Sequence, residues 1–450
     1  MNKKFFVINI ICILLLFSCN KEKDKLYRIE PPIPNRTFLI PSMKWDLSST
    51  PLSFMESNVV NDLSYGYNRA KISWYNIDPI FQTNNPFLPA HLSPTDMSND
   101  YVRCILEVEV YPDKDIPSGS PTPLTTFNID FYPSKIGPYN YDTEPTAFSS
   151  GINESANLIS PDTRWGGITQ VFNYIDHEIK YIEFWMMDPF IDNENISGDL
   201  YINIGSFSEE ILSDNIHQNE SSISFDSTNN NYNCWGKYGN TNQWSYDFAN
   251  VSYQDFGLDG LNNTQEKIFF NNYLSKVSQI CTPSAYNQIL VDPSKDDYHY
   301  YRGSDYDNLA LPIAARYSRY NGLEGNSTSN FPIVEQYPTR SSSLPNKEDI
   351  DNSESLGLGN DYYEYHIEID QNSFISGTNF IDTIRFAQGI PTIDHSIHSL
   401  YWYHFKMPIQ DYTSAYGNIQ ALSELKMIRL YLTNFSDPVT LRLVGFYITE

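Results

Sequence analysis

Short apolar runs separated by turn-forming residues dominate the chain, and this pattern predicts β-strands that each bury one face. Examples are residues 102–108, 180–185 and 363–369, which are rich in β-branched and aromatic side chains. Helical periodicity is convincing in only two segments. We therefore expect a mainly β fold.

The first predicted helix covers residues 57–76, and the second lies near residues 264–278. In the first, apolar residues follow alternating steps of three and four, which places them on one face of a helix. In the second, Phe269, Tyr273 and Val277 recur at every fourth position. The apolar residues of the first predicted helix are Val60, Leu63, Tyr67, Ala70 and Trp74.

The predicted strands occur twice in the same order, once in residues 99–204 and once in residues 360–446. The intervals between them differ, as expected if insertions accumulate in loops. We therefore predict two related antiparallel β-sandwich units of jelly-roll type. The alternative is chance similarity between generic strands. The corresponding segments are 102–108 and 363–369, 127–133 and 401–408, 167–170 and 417–420, 180–185 and 426–431, and 200–204 and 441–446.

These patterns divide the chain into five predicted segments. The middle one is rich in Asn, Ser and Asp, and a structureless loop of that length is improbable, so we expect it to pack partly on the sandwiches. The segments are a lipoprotein signal peptide at 1–18, a lipidated cysteine and extended tether at 19–44, a short helix plus the first sandwich unit at 45–204, an irregular connecting region with one helix at 205–355, and the second sandwich unit at 356–450.

The N-terminus has the pattern of a bacterial lipoprotein signal. Lys3 and Lys4 precede an apolar run at 5–17, which is too short to span a bilayer. The run ends in a string, LFSC, that resembles a lipobox and would make Cys19 the acylated residue. We therefore predict a lipid anchor in the outer membrane, with the periplasmic and the surface-exposed face both open. The alternative is an ordinary secretory signal with an incidental cysteine.

The charge of the chain excludes one class of partner. There are 29 Lys and Arg against 55 Asp and Glu, which gives a formal net charge of −26. A surface this negative repels phosphates, so we expect no nucleic-acid partner. Aromatic residues make up 15% of the chain, including 34 Tyr. Most should fill the cores, but exposed ones could stack on sugars, which makes glycan binding the alternative function.

Cysteine chemistry is limited in the segment that follows the tether. Cys104, Cys234 and Cys281 remain there, an odd number without close spacing, which argues against a disulfide scaffold or a zinc site. Cys234 and Cys281 could form one bridge. Cys104 lies in a predicted strand, where we expect it to behave as a small buried hydrophobe.

No motif of a metalloprotease, a phosphate-binding loop or a nucleophile elbow occurs in the chain. His395 and His398 are three residues apart, a spacing that does not converge them on one ion if they lie on irregular β structure. We therefore predict that the protein is not an enzyme and needs no organic cofactor.

One segment resembles the calcium loop of an EF-hand. Asp255, Gly260 and Glu266 occupy its first, sixth and twelfth positions, whereas the third and seventh lack oxygen-bearing side chains. Asp255, Asp259 and Glu266 are thus candidate calcium ligands. The alternative is a glycine-rich turn in which Thr264 caps the following helix.

Several distinctive strings together resemble the SprA/Sov family, gliding-motility and type IX secretion proteins of Bacteroidetes. The similarity is to the N-terminal module of that family and runs from about residue 45 to residue 450. The strings are YGYNRA at 65–70, GPYNYD at 137–142, RWGGI at 164–168, EFWMMDPF at 183–190, GLDGL at 257–261, YHYYRGSD at 298–305 and YNGLEGN at 320–326.

The resemblance implies a role in protein transport. Family members form a large outer-membrane β-barrel, and the resembled module is its non-barrel part. A chain of 450 residues holds too few strands for such a barrel, so we expect the module alone. The resemblance brings no catalytic residues, and it implies the type IX barrel or accessory proteins as partners. The predicted function is a non-enzymatic outer-membrane lipoprotein that serves type IX secretion or gliding motility; the alternative is a surface lipoprotein that binds glycans.

Overall fold

The computed structural model describes ten ranges of the chain: 36–39, 41–114, 122–172, 179–216, 231–238, 257–297, 299–319, 347–353, 355–419 and 426–449. Within them the backbone forms fifteen strands. The strands are β1 (Arg36–Phe38), β2 (Asp46–Leu47), β3 (Ala70–Tyr75), β4 (Ile105–Leu106), β5 (Pro123–Leu124), β6 (Phe127–Ile136), β7 (Trp165–Val171), β8 (Tyr181–Met187), β9 (Gly198–Ser206), β10 (Asp361–Ile369), β11 (Ile381–Pro391), β12 (Ile397–Pro408), β13 (Ser414–Tyr416), β14 (Met427–Thr433) and β15 (Val439–Thr449).

Two large antiparallel sheets contain most of these strands. The first sheet has the order β11-β12-β8-β15-β6-β3, and β1 pairs with the end of β15. The second sheet has the order β13-β10-β9-β14-β7-β2. A separate ribbon pairs β4 with β5. The predicted mainly β, antiparallel fold is therefore confirmed.

The two sheets face each other across one apolar core. Ile129 and Phe184 come from the first sheet, Ile202 and Leu430 from the second, and all four are buried in the same cluster. Fully burying such a side chain is worth about 1.5–3 kcal/mol relative to its exposure. The core between the sheets is thus the main source of stability in the sandwich.

A glycine in β7 lets the sheets approach closely. A Cβ on Gly166 would lie 3.0 Å from the ring of Phe131 and 3.1 Å from Ile72, both on the first sheet. Any larger residue would push these side chains apart. Gly166 therefore belongs to the packing of the sandwich.

The two predicted units share both sheets. In the second sheet, β9 of the first unit lies between β10 and β14 of the second unit. In the first sheet, β8 lies between β12 and β15. Residues 45–204 and 356–450 therefore supply strands to one sandwich instead of forming two side by side. A central strand must pair its backbone N–H and C=O groups on both sides. For β8 and β9, both partner strands come from the other half, so neither half can complete a sheet alone.

The strand order is that of a duplicated unit. The comparison takes β6, β7, β8 and β9 of the first half to correspond, in that order, to β10, β12, β14 and β15 of the second half. Exchanging each strand of the first-sheet order β12-β8-β15-β6 for its counterpart gives β7-β14-β9-β10. The second sheet has this same order, read from β7 to β10. Two predicted correspondences are kept, 180–185 with 426–431 and 200–204 with 441–446. The segment 127–133 corresponds to β10, however, and not to residues 401–408.

The predicted N-terminal helix at residues 57–76 is wrong. Two turns of 3-10 helix at Met55–Asn58 and Leu63–Gly66 are followed by β3, which pairs with β6. Residues four apart share a face in both a helix and a strand, so Ala70 and Trp74 fit either period. Residues 102–108 also differ from the prediction, since only Ile105–Leu106 is strand and a helical turn follows.

Seven short α-helices complete the described part of the chain. The predicted helix near 264–278 is confirmed, although it is interrupted at Phe270. Phe270 stacks on Tyr141 at 4.2 Å between ring centroids, which fixes the helices on the loop that follows β6. Among the described residues, no helix combines the length and the apolar character that crossing a bilayer requires. The helices are α1 (Pro94–Ser98), α2 (Glu107–Val110), α3 (Asn263–Phe269), α4 (Asn271–Ile280), α5 (Pro283–Val291), α6 (Ser304–Asn308) and α7 (Ile313–Arg316).

Candidate metal centre

Three buried carboxylates converge beside the helical segment. Asp259, Glu266 and Asp296 are 1%, 1% and 5% exposed. Each offers a carboxylate oxygen, and these three oxygens lie within 4.8 Å of one another. The cluster is therefore compact enough for all three residues to contact one ion.

A tight turn positions Asp259. The turn spans residues 257–260, and Gly260 has a φ of 67°, which favours glycine. The Oδ1 atom of Asp259 accepts a hydrogen bond of 2.9 Å from the Leu261 backbone N–H. Its carbonyl accepts one of 2.8 Å from Lys237. Both the side chain and the backbone of Asp259 are thus held in place.

The first turn of α3 positions Glu266. Asn262 caps this helix, since its side-chain oxygen accepts hydrogen bonds from the backbone N–H groups of Thr264 at 3.1 Å and Gln265 at 3.0 Å. The alternative prediction that Thr264 is the cap is wrong. The cap fixes the residue at which the helix begins. The helix therefore presents Glu266 on its buried side, next to Asp259.

The loop after α5 closes the cluster from the other side. Ser294 donates its backbone N–H to Glu266 Oε2 at 3.1 Å and its hydroxyl to Asp259 Oδ2 at 2.6 Å. Tyr141 in turn donates its hydroxyl to Ser294 Oγ at 2.9 Å. Ser294 therefore links two of the carboxylates to the loop that follows β6.

The electrostatics of the cluster oppose ionisation. Burial, followed by the nearby negative charges, raises the pKa of Asp259 to about 8 and that of Glu266 to about 10. The pKa of Asp296 is raised for the same reasons. Asp292 and Asp297 are 7% and 8% exposed and add to the negative field. The cluster needs either protons or a cation to neutralise it.

One oxygen in the cluster lacks a hydrogen-bond donor. Glu266 Oε1 is buried and accepts no hydrogen bond from any described residue. Buried acceptors normally have a partner, because leaving one unsatisfied costs about 1–3 kcal/mol. This oxygen is free to bind a ligand.

A cleft of about 480 Å³ lies beside the cluster. Asp292 and Asp297 line it together with Lys71, Lys295 and Arg319. Burial, and then the neighbouring positive charges of Arg319 and Lys295, lowers the pKa of Lys71 to about 8. The cleft thus concentrates positive charge on an acidic protein.

The sequence identified part of this cluster. Asp259 and Glu266 come together as ligand candidates, whereas Asp255 lies outside the described residues. Asp296 was missed because it follows Glu266 by 30 positions and belongs to no loop motif. The only signal was the density of acidic residues in the string DPSKDD at 292–297.

The cysteine predictions have mixed outcomes. Cys104, Cys234 and Cys281 are all free thiols, so Cys234 and Cys281 do not form a bridge in this structure. Cys104 is half-buried and precedes β4 instead of lying within a strand. Cys19 lies outside the described residues.

The fold and the cluster define a class of protein, a two-sheet antiparallel β-sandwich with a helical insertion that carries a buried acidic site. Residues 272–449 match the family SprA_N, described as a motility related/secretion protein. This match confirms the resemblance to the SprA/Sov N-terminal module over these residues. It covers about two fifths of the chain, runs from α4 to the end of β15, and includes Asp296 but not Asp259 or Glu266. No curated protein matches the chain.

Proposed function

We propose that this protein is a non-enzymatic lipoprotein of the outer membrane that serves type IX secretion or gliding motility. The observation that carries the proposal is the family match at residues 272–449, which suggests a motility- or secretion-related protein. The region matched includes six strands of the sandwich, β10 to β15. Since the other half supplies their partners, the sandwich as a whole is the unit that would contact secretion components.

The lipid anchor rests on the sequence of the N-terminus. The LFSC string places Cys19 where a lipoprotein signal would be cut, and a stretch of mixed charge that ends in a proline-rich segment follows it. Metabolic labelling with a fatty acid should label the wild-type protein and leave a Cys19→Ser variant unlabelled. An unlabelled wild-type protein that is nevertheless cleaved would indicate an ordinary secretory signal.

The role in secretion is tested by its partners. The tagged full chain, crosslinked in cells and purified from solubilised membranes, should bring down type IX secretion components. The Cys19→Ser variant should recover less of them, because it loses its place at the membrane. Recovery of wild-type protein without any such component would contradict the proposal.

A second candidate function is glycan binding, and a cleft of about 360 Å³ on the second sheet favours it. The cleft lies on the face opposite the core, where Tyr201 and Tyr431 stack at 4.7 Å. Glu364 accepts a hydrogen bond of 2.9 Å from the Tyr431 hydroxyl. The edge and hydroxyl of a tyrosine beside a carboxylate are groups that can contact a sugar.

Tryptophan does not supply such a surface in the described residues. All six described tryptophans are buried, and Trp244 lies outside them. Binding on a polysaccharide array should therefore be lost with Tyr201→Ala and kept with Tyr412→Ala, a control residue that is 42% exposed and does not line the cleft. Equal binding by both variants would exclude this cleft as the glycan site.

A further inference from the structure

We propose that Asp259, Glu266 and Asp296 bind one hard divalent cation, calcium, and that the ion fixes the helical segment to the sandwich. This inference does not depend on the proposed function in secretion. It assigns a role to the most buried acidic cluster among the described residues.

The geometry of the oxygens fits a calcium ion. Calcium binds oxygen at about 2.3–2.6 Å, so two ligands on opposite sides of one ion are about 4.8 Å apart. The ligand oxygens of the three residues lie within that separation of one another. Only small side-chain adjustments would be needed to place all three in contact with one ion.

The chemistry of the ligands also selects the metal. The three residues offer only carboxylate oxygens, which are the donors that hard cations such as calcium prefer. Zinc and copper favour imidazole or thiolate ligands, and this group contains neither. Three carboxylates on three chain segments can complete their coordination with water, as calcium sites commonly do.

The unpartnered oxygen of Glu266 is a second and independent observation. The residue is 1% exposed, its Oε2 is satisfied by Ser294, and its Oε1 has no donor among the described residues. Asp292 Oδ1, beside the cluster, is likewise buried without a donor. A cation bound by the three carboxylates supplies the partner that the Glu266 oxygen lacks.

In a second group of acidic residues, the central carboxylate has hydrogen-bond donors for both of its oxygens. Glu209, Asp349 and Asp351 also bring carboxylate oxygens within 4.8 Å, but Asp351 is exposed. Both oxygens of Glu209 accept backbone hydrogen bonds, from Asp351 at 2.9 Å and Gly357 at 2.8 Å. This group therefore serves as a matched control.

The ion would connect segments that are distant in the chain. Asp259 lies in the turn before α3, Glu266 in α3, and Asp296 in the loop after α5. The loop after β6 joins them, since Tyr139 donates its backbone N–H to the Ser294 carbonyl at 2.7 Å. Removing the ion should therefore loosen the helical segment first.

The test compares thermal unfolding of the purified full chain in EDTA, calcium and magnesium. Calcium at about 100 times its dissociation constant should raise the Tm of the wild-type protein by at least about 3 °C, because a ligand that binds only the folded state stabilises it. Glu266→Gln and Asp296→Asn should lose this shift. Asp351→Asn should keep it.

Terbium luminescence excited through tyrosine measures binding directly, since Tyr141 is linked to Asp259 through Ser294. The affinity of Glu266→Gln for terbium should fall at least about tenfold, because the site loses one charged ligand. In EDTA this variant should be about as stable as the wild-type protein, since glutamine keeps the size and the polarity of an uncharged glutamate side chain. That result shows that lost binding does not reflect lost folding.

Two outcomes would overturn the proposal. The first is a wild-type protein whose Tm and terbium signal do not respond to calcium, which would mean that protons alone neutralise the cluster. The second is a calcium shift that Glu266→Gln and Asp296→Asn retain in full, which would place the ion elsewhere.

Discussion

Some charged residues that the sequence alone would place on the surface are buried in or beside the sandwich. Arg164 and Asp142 are both fully buried and form an ion pair of 2.9 Å. The guanidinium also donates to the backbone carbonyls of Tyr67, Gly151 and Ile159. A buried charge is tolerated only when it is paired and hydrogen-bonded in this way. Arg164 therefore organises the loops around the start of β7.

Replacing Arg164 with Met should destabilise the protein by about 3–5 kcal/mol, because Asp142 would remain as an unpaired buried charge. Urea unfolding followed by circular dichroism measures the change. The double variant Arg164→Met, Asp142→Leu should recover part of the loss, since it removes both charges. A double variant no more stable than the single one would mean that the carbonyl contacts matter more than the ion pair.

His366 and Asp199 give a dependence of stability on pH. His366 Nε2 lies 2.6 Å from Asp199 Oδ1, and this hydrogen bond raises the pKa of the histidine, although burial opposes it. A raised histidine pKa adds stability that is complete below the unfolded pKa of about 6.5 and is lost as the pH rises through the folded pKa.

Between pH 5.5 and pH 9 the wild-type protein should therefore lose about 1 kcal/mol or less relative to a His366→Gln variant, since the side chain is 34% exposed. Chemical unfolding of both proteins at several pH values measures this difference. If the difference in unfolding free energy between the two proteins does not vary with pH, protonation of His366 beside Asp199 is not coupled to folding.

At the scale of elements, the sequence predicts which segments are strands better than it predicts their partners. Residues 180–185 and 426–431 are recognised as strands from the sequence, yet the strands found there, β8 and β14, pair with strands of the opposite half. The apolar pattern reports which face is buried and carries no information on the neighbour. Ala70 and Trp74 were assigned to a helix because a spacing of four fits both periods. Asp296 was missed for a related reason, since only the folded chain brings it to Glu266.

The close contact between the sheets predicts the effect of enlarging Gly166. Gly166→Val should destabilise the protein by about 1–3 kcal/mol, because the added atoms would overlap the ring of Phe131 and Ile72. A double-mutant cycle with Phe131→Leu checks the mechanism: the second change should offset part of the first, giving a coupling of about 0.5 kcal/mol or more. Additive effects would show that the strain lies in the backbone of β7.

At the scale of the whole molecule, the exchange of strands makes the two halves depend on each other. β9 pairs with β10 over nine residue pairs and with β14 on its other side. β15 likewise pairs with β6 and β8. A half expressed alone would expose these strand edges together with the apolar faces of the core. Duplicated units that exchange strands in this way would fold as one cooperative sandwich and not as two modules.

Fragments of the chain test this dependence. Residues 45–216 and 257–450, each expressed alone, should be aggregated or lack the near-ultraviolet circular dichroism of packed aromatic residues, because each central strand has lost a partner. Co-expressed, they should co-purify as a one-to-one complex with that signal restored, since the hydrogen bonds of β9 and β14 can then form. A control variant, Ile202→Asp in fragment 45–216, places a charge in the shared core. It should abolish the complex although both fragments keep the same first and last residues. A monomeric, folded fragment of 45–216 would show instead that the first half forms its own sandwich and that the exchange of strands is not required for folding.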